Sequence, residues 1–233
     1  MSAPDRSDER HPIEIRTTGY VRMHIPEDLP EEPAPALIAV HGYAHIPTEM
    51  FDYAKRVAPS NAIVIAPEGP STFYARQRLP DGTRKRRVAH GWIADEPRQP
   101  NERRNRELLI GALDLAARHH ALDPKRTFAL GFSQGVGVAT DFLVHEPERI
   151  FGIAGLAGGV PAHGRKPLAA IAGRPVLWVC GENDDSYPPL YMDALIEDFE
   201  RAGVEPERLV LPTGHYLMDD AADAVTTWLS RHM

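Results

Sequence analysis

The apolar residues of this chain fall into two patterns. Residues 36–40, 62–66, 127–130 and 176–180 are short, nearly unbroken apolar runs, the mark of strands buried on both faces as in a parallel sheet. Residues 150–156 and 209–211 supply two more candidates. Between them, 102–119, 134–145, 189–202 and 219–231 repeat their apolar residues at helical spacing. Strands alternating with helices predict an α/β protein with a mostly parallel, doubly wound sheet flanked by helices. Ahead of this, Ile13, Ile15, Val21, Met23 and Ile25 alternate on either side of Thr18-Gly19, which predicts a hairpin at the edge of the sheet.

The interruptions to the pattern are equally informative. Residues 1–12 mix charges with Pro4 and Pro12 and have no periodicity, so they read as a flexible tail. Residues 13–233 show no internal repeat and no linker, and read as a single domain. Residues 67–100 are broken by Pro70, Pro80, Gly82, Gly91, Pro97 and Pro100 and read as a long loop, a length that inside a compact domain is often functional. Pro161, Gly164, Pro167 and Gly173 break up residues 156–175. No large cap domain is therefore expected, and the substrate cleft should be open and shallow.

The chemistry concentrates at Gly131-Phe132-Ser133-Gln134-Gly135, a G-x-S-x-G sequence that follows an apolar run and precedes a helical one. A nucleophilic serine on a sharp strand-to-helix turn needs small neighbours two residues to either side. The helix N-terminus beneath it favours a developing anion. A serine hydroxyl needs a base to take its proton and an acid to orient that base. Both are available downstream: Asp184 lies in Gly181-Glu182-Asn183-Asp184-Asp185 after the fourth run, and His215 follows Gly214. The order Ser133, Asp184, His215 is that of an α/β-hydrolase triad, with Asp185 and Glu182 as competitors for the acid. Among the other histidines, His119 and His120 suit a helix end, and His11, His24 and His232 lie in polar or terminal sequence. His41-Gly42-Tyr43 closes the first buried run, the position from which a backbone N–H reaches the oxyanion. The donors predicted are the N–H groups of Tyr43 and Gln134.

These motifs, together with Ala66-Pro67-Glu68-Gly69-Pro70, Gly91-Trp92, Pro188 and Gly214-His215, resemble the carboxylesterase, lysophospholipase and acyl-protein thioesterase branch of the α/β-hydrolases over residues 37–228. The resemblance implies ester hydrolysis through an acyl-enzyme, no cofactor, and Trp92 beside Tyr43 at the substrate pocket. Two departures stand out. Val136 occupies a position where the family usually has a second glycine. The segment holding Arg76, Arg78, Arg84, Lys85, Arg86 and Arg87 matches no family motif and reads as a solvated hairpin tip at Asp81-Gly82, or as a basic lip that selects anionic substrates or a partner.

Composition narrows the partners. A net charge of −7 gives no overall attraction to nucleic acid or anionic membranes, so a small-molecule ester is the expected partner. No apolar run is long enough to span a bilayer, and the charged start lacks the apolar core of a secretory signal. Cys180, the only cysteine, ends an apolar run and reads as a buried structural thiol. These features predict a cytoplasmic protein without integral membrane association. No metal-ligand spacing and no phosphate or dinucleotide loop is present. The expected function is hydrolysis of carboxylic esters with short to medium acyl groups. Thioester, lysophospholipid or peptide hydrolysis is the alternative within the same chemistry, and a non-catalytic receptor on this fold is the alternative outside it.

Overall fold

The structure, a computed structural model, describes residues 13, 15–27, 29, 33–78, 82–93 and 98–233. Its strands are β1 (Val21–His24), β2 (Ala34–Val40), β3 (Ile63–Pro67), β4 (Ser71–Arg78), β5 (Arg84–Gly91), β6 (Leu122–Phe132), β7 (Gly152–Leu156), β8 (Val176–Gly181) and β9 (Glu207–Leu211). The helices are α1 (Pro47–Val57), α2 (Arg98–Ala117), α3 (Gln134–His145), α4 (Pro189–Arg201) and α5 (Met218–His232), with a 3₁₀ segment over Ala162–Ile171. Seven strands form one sheet in the order β1-β3-β2-β6-β7-β8-β9. β1 is antiparallel to β3, and the remaining neighbours are parallel. This is the α/β-hydrolase fold, without a large cap domain.

The apolar runs explain the layering. β2, β3, β7 and β8 are buried at every position because helices cover both faces of the sheet. On one face Leu109 and Leu113 of α2, Val138 and Phe142 of α3, and Leu195 and Phe199 of α4 join a core with Ile38, Ile65 and Trp178. On the other, Met50, Tyr53 and Val57 of α1 and Val225, Trp228 and Leu229 of α5 pack with Leu37, Val64 and Leu130. Each such large apolar side chain contributes about 1.5–3 kcal/mol on full burial.

Three elements differ from the sequence expectation. The predicted N-terminal hairpin is a single edge strand: residues 15–20 take no regular structure, and β1 finds its partner in β3 rather than in residues 13–15. Alternation had identified a strand, but Thr18-Gly19 makes no turn. Glu68 N–H donates to the Tyr20 carbonyl at 2.8 Å, so this segment runs on along the sheet. α1 had not been anticipated, although Pro47 in its first turn and the spacing of Met50, Tyr53, Ala54 and Val57 are helix signals. The segment read as a long loop is largely a two-stranded ribbon, β4 antiparallel to β5, in keeping with the hairpin expected about Asp81-Gly82, of which Asp81 lies outside the described residues. The expected tail at residues 1–12 lies outside the described residues.

Candidate active site

The C-terminal ends of β2, β6, β8 and β9 converge, the place where an open α/β sheet presents its ligand-binding loops. Ser133 follows β6 with φ 52° and ψ −120°, a conformation that L-residues avoid and that a turn of this kind forces on them. The flanking glycines make the turn possible. A Cβ on Gly131 would stand 2.7 Å from the Val136 Cα, and one on Gly135 would overlap the Val40 carbonyl oxygen and lie 2.6 Å from that of His41. Val136 itself is buried. The space for it comes from Gly155 and Gly158, where a Cβ would press on its side chain.

His215 stands between Ser133 and Asp184. Its Nε2 is 3.0 Å from Ser133 Oγ and its Nδ1 is 2.9 Å from Asp184 Oδ2. The Asp184 side chain is fully buried and its other oxygen accepts from the backbone N–H groups of Ser186 and Tyr187 at 2.8 and 2.9 Å. A carboxylate with these three partners is held in one orientation. Asp185 and Glu182, the competing acids, are exposed. A carboxylate oxygen can only accept, so the ring proton of His215 lies on Nδ1 toward Asp184, and Nε2 faces Ser133 Oγ as an acceptor.

The loop after β2 lies directly against the serine: a Cβ on Gly42 would meet the Ser133 Cβ at 3.2 Å. His45 N–H bonds back to the Gly42 carbonyl at 3.3 Å, closing a turn in which Ala44 has φ 55°. Tyr43 is 59% exposed and its ring stacks on Phe73 of the ribbon, centroids 5.0 Å apart. Gln134 opens α3, so its backbone N–H has no carbonyl four residues back to bond. Its side chain accepts from the Trp92 N–H at 2.9 Å.

Trp92, expected at the pocket, has no exposed surface. Its indole N–H donates to the His41 carbonyl at 2.8 Å, so what it touches is the underside of the loop that carries Tyr43. His41 is buried beside it. The His41 Nδ1–H donates to the Gly42 carbonyl at 2.7 Å and Nε2 accepts from Gly69 N–H at 2.8 Å, an arrangement that only the neutral ring satisfies. Burial pushes its pKa down to about 4 against the Gly42 bond, which works the other way. The unfolded chain therefore takes up this proton first as pH falls. The contribution is fully present above about pH 6.5 and is lost progressively as pH falls toward 4. The stability difference between the wild type and His41→Gln should accordingly be larger at pH 7.5 than at pH 4.5 by about 2–3 kcal/mol, read from urea melts at the two pH values. A pH-independent difference would mean that His41 is not held neutral.

The basic segment divides. Arg84, Lys85 and Arg86 are exposed on β5, with Arg86 over the Tyr74 ring at 4.4 Å, while Arg87 turns inward and donates to the Ala44 carbonyl at 2.8 Å, tying the ribbon to the turn beside the serine. Two residues near the site escaped the sequence reading. Tyr187 lies nearly parallel to the His215 ring, centroids 5.9 Å apart, and burial raises its pKa. Phe132 packs on His215 at 5.3 Å. Their positions beside Asp184 and Ser133 in the sequence were the only available signal. Burial raises the Cys180 pKa, so its thiol stays protonated and unreactive. Among the described residues no cluster of His, Cys, Asp and Glu could hold a metal ion, and no helix is long and apolar enough to cross a membrane.

A serine on a sharp strand-to-helix turn of an α/β-hydrolase sheet, hydrogen-bonded to a histidine and through it to a buried carboxylate, is an arrangement of the serine-hydrolase type. The chain belongs to the phospholipase/carboxylesterase family of α/β-hydrolases, whose model matches residues 27–233. It is a hydrolase of small ester substrates. Similar solved structures include a Bacillus cereus carboxylesterase (24% identity, 92% of this chain and 95% of that one, TM-score 0.70). Esterase PE8 (20%, 93% and 100%, 0.73) and a Mesorhizobium loti carboxylesterase (23%, 89% and 98%, 0.68) share the same fold. No curated protein matches this sequence.

Proposed function

We propose that the protein hydrolyses carboxylic esters of short to medium acyl groups through a serine-bound acyl intermediate. In this reading Ser133 is the nucleophile, His215 the general base and acid, and Asp184 the acid that orients it. The observation that carries the reading is the unbroken chain of hydrogen bonds from Ser133 Oγ through His215 to Asp184. Ser133 Oγ attacks the ester carbonyl carbon as His215 Nε2 takes its proton. The C–O bond to the alcohol then breaks, and the alcohol leaves with that proton. Water repeats the sequence on the acyl-serine, with His215 again as base, releasing the acid and restoring Ser133. The backbone N–H groups of Tyr43 and Gln134 stabilise the oxyanion of both tetrahedral intermediates, where loss of a single donor typically costs about 10²–10³ in rate. Trp92, Gln134 and Arg87 act from behind, fixing the turn that presents Tyr43, and the exposed Tyr43 side chain forms part of the substrate-binding surface. The buried, protonated Cys180 suits the reducing cytoplasm, to which we assign the enzyme.

A series of p-nitrophenyl esters from acetate to palmitate tests the reading. kcat/KM should be highest between two and eight acyl carbons and fall for longer chains, because no cap domain is present to enclose a long chain. A maximum at palmitate would overturn the acyl assignment. An absence of turnover on every ester would overturn the function.

A further inference from the structure

The turn after β2 is gripped from two sides. On one, Gly42 lies close against Ser133. On the other the ribbon closes over it: Phe73 stacks on Tyr43, His90 makes a single bridge to His45, and Arg87 donates from Nη2 to the Ala44 carbonyl at 2.8 Å. Pairing sets Arg87 opposite Ala75 and Ala89 opposite Phe73, so these four share the inward face of the ribbon and the neighbouring Arg86 falls on the outward one.

Holding the Ala44 carbonyl takes one donor and no charge. Arg87 brings two further donors, Nε and Nη1, which are shut off from water and have no partner, and among the described residues no carboxylate pairs with it. Glu49 is engaged instead by His45 Nε2 at 3.1 Å. The charge of Arg87 is felt within the turn: burial holds the His45 pKa below the ordinary histidine value against the pull of Glu49, and Arg87 adds to the lowering. A positive charge held away from water without a counter-charge is costly, and a tether alone does not explain that cost.

The missing negative charge arises in the reaction. In the esterase reading it forms on the ester carbonyl oxygen, at the N–H of Tyr43, the residue directly before Ala44. Arg87 then lies on the order of 10 Å from that oxygen, where a unit charge at an effective dielectric of about 20 changes a rate by about tenfold. We propose that Arg87 is a positioning residue of the oxyanion site, acting through the Gly42–His45 turn to fix the Tyr43 N–H and to hold a positive charge behind it. The proposal rests on the esterase reading and adds to it the one member of the basic segment that acts on the chemistry.

Arg87→citrulline separates charge from tether, because citrulline keeps the shape, the Nε–H and one terminal NH₂ and loses only the charge. With p-nitrophenyl butyrate kcat should fall about tenfold while KM stays within about twofold. A trifluoromethyl ketone, to which Ser133 Oγ adds to leave a full oxyanion, should bind about tenfold more weakly. The ratio of its Ki to KM does not depend on the fraction of protein folded, so a damaged fold cannot imitate the result. Tm should be unchanged or raised, since the charge removed had no counter-charge. Arg86→Gln, on the exposed face, should leave kcat and Ki within about twofold. A citrulline variant with wild-type kcat and Ki would reduce Arg87 to a tether, and an equal loss in Arg86→Gln would trace the effect to the general charge of the ribbon. Either overturns the proposal and leaves the esterase reading in place. A wild type that turns over no ester would overturn both.

Discussion

Ser133→Ala is expected to lower kcat for ester hydrolysis by about 10⁵–10⁶-fold while the protein still folds. Removing the nucleophile removes the acyl-enzyme route altogether and leaves only binding and the oxyanion donors. Alanine inherits the strained backbone, because φ 52° and ψ −120° are imposed by the close approach of Gly131 and Gly135 to α3 and β2. Glycine would not carry that strain. Ser133→Gly should therefore be equally inactive but more stable than Ser133→Ala by about 1 kcal/mol or more, as relief of one strained residue allows. Melts of the two variants beside single-turnover ester assays separate the chemical role of the hydroxyl from the conformational cost of its position. Comparable stability in both would mean that the turn is not under strain, and residual turnover above about 1% of wild type would move the nucleophile elsewhere.

The second large effect is expected at Asp184. Asp184→Asn retains the shape of a side chain that has no exposed surface but replaces an acceptor with an amide that can present N–H to His215 Nδ1. The histidine then carries its proton on the wrong nitrogen, and kcat should fall by about 10⁴-fold. Asp185→Asn, at an exposed neighbour, should change kcat less than about twofold, in keeping with the small effects of surface substitutions. Purified variants assayed on a single soluble ester decide between the two. A mild Asp184→Asn with a damaging Asp185→Asn would reverse the assignment of the acid.

Much of this site is legible in the chain because the chemistry demands particular residues at particular places. The turn can be read from Gly131-Phe132-Ser133-Gln134-Gly135 because close packing excludes side chains at 131 and 135. Asp184 and His215 can be read because each follows a strand end in the required order. The buried strands declared themselves through unbroken apolar runs. Residues whose roles depend on tertiary neighbours were harder. Trp92 carries a family resemblance to a pocket residue, but nothing local indicates that its indole would be turned under His41. The inward turn of Arg87 is invisible in a run of four basic residues, since the alternation of β5 that separates it from Arg86 is defined only by pairing with β4. The N-terminal alternation misled for a related reason: period two identifies a strand but not its partner, and β1 pairs with β3, some forty residues away. α1 is short, and its apolar positions Met50, Tyr53, Ala54 and Val57 span only two turns, a weak periodic signal directly after a loop.

The central claim is that Ser133, activated by His215, is the residue that becomes acylated. The most direct test is to treat the folded protein with a fluorophosphonate, whose phosphorus is attacked only by an activated serine, and to map the modified peptide by mass spectrometry. The account predicts stoichiometric labelling of Ser133, lost on denaturation before treatment and lost in His215→Ala. A label on another residue, or esterase activity that persists in a protein that takes up no label, would contradict it.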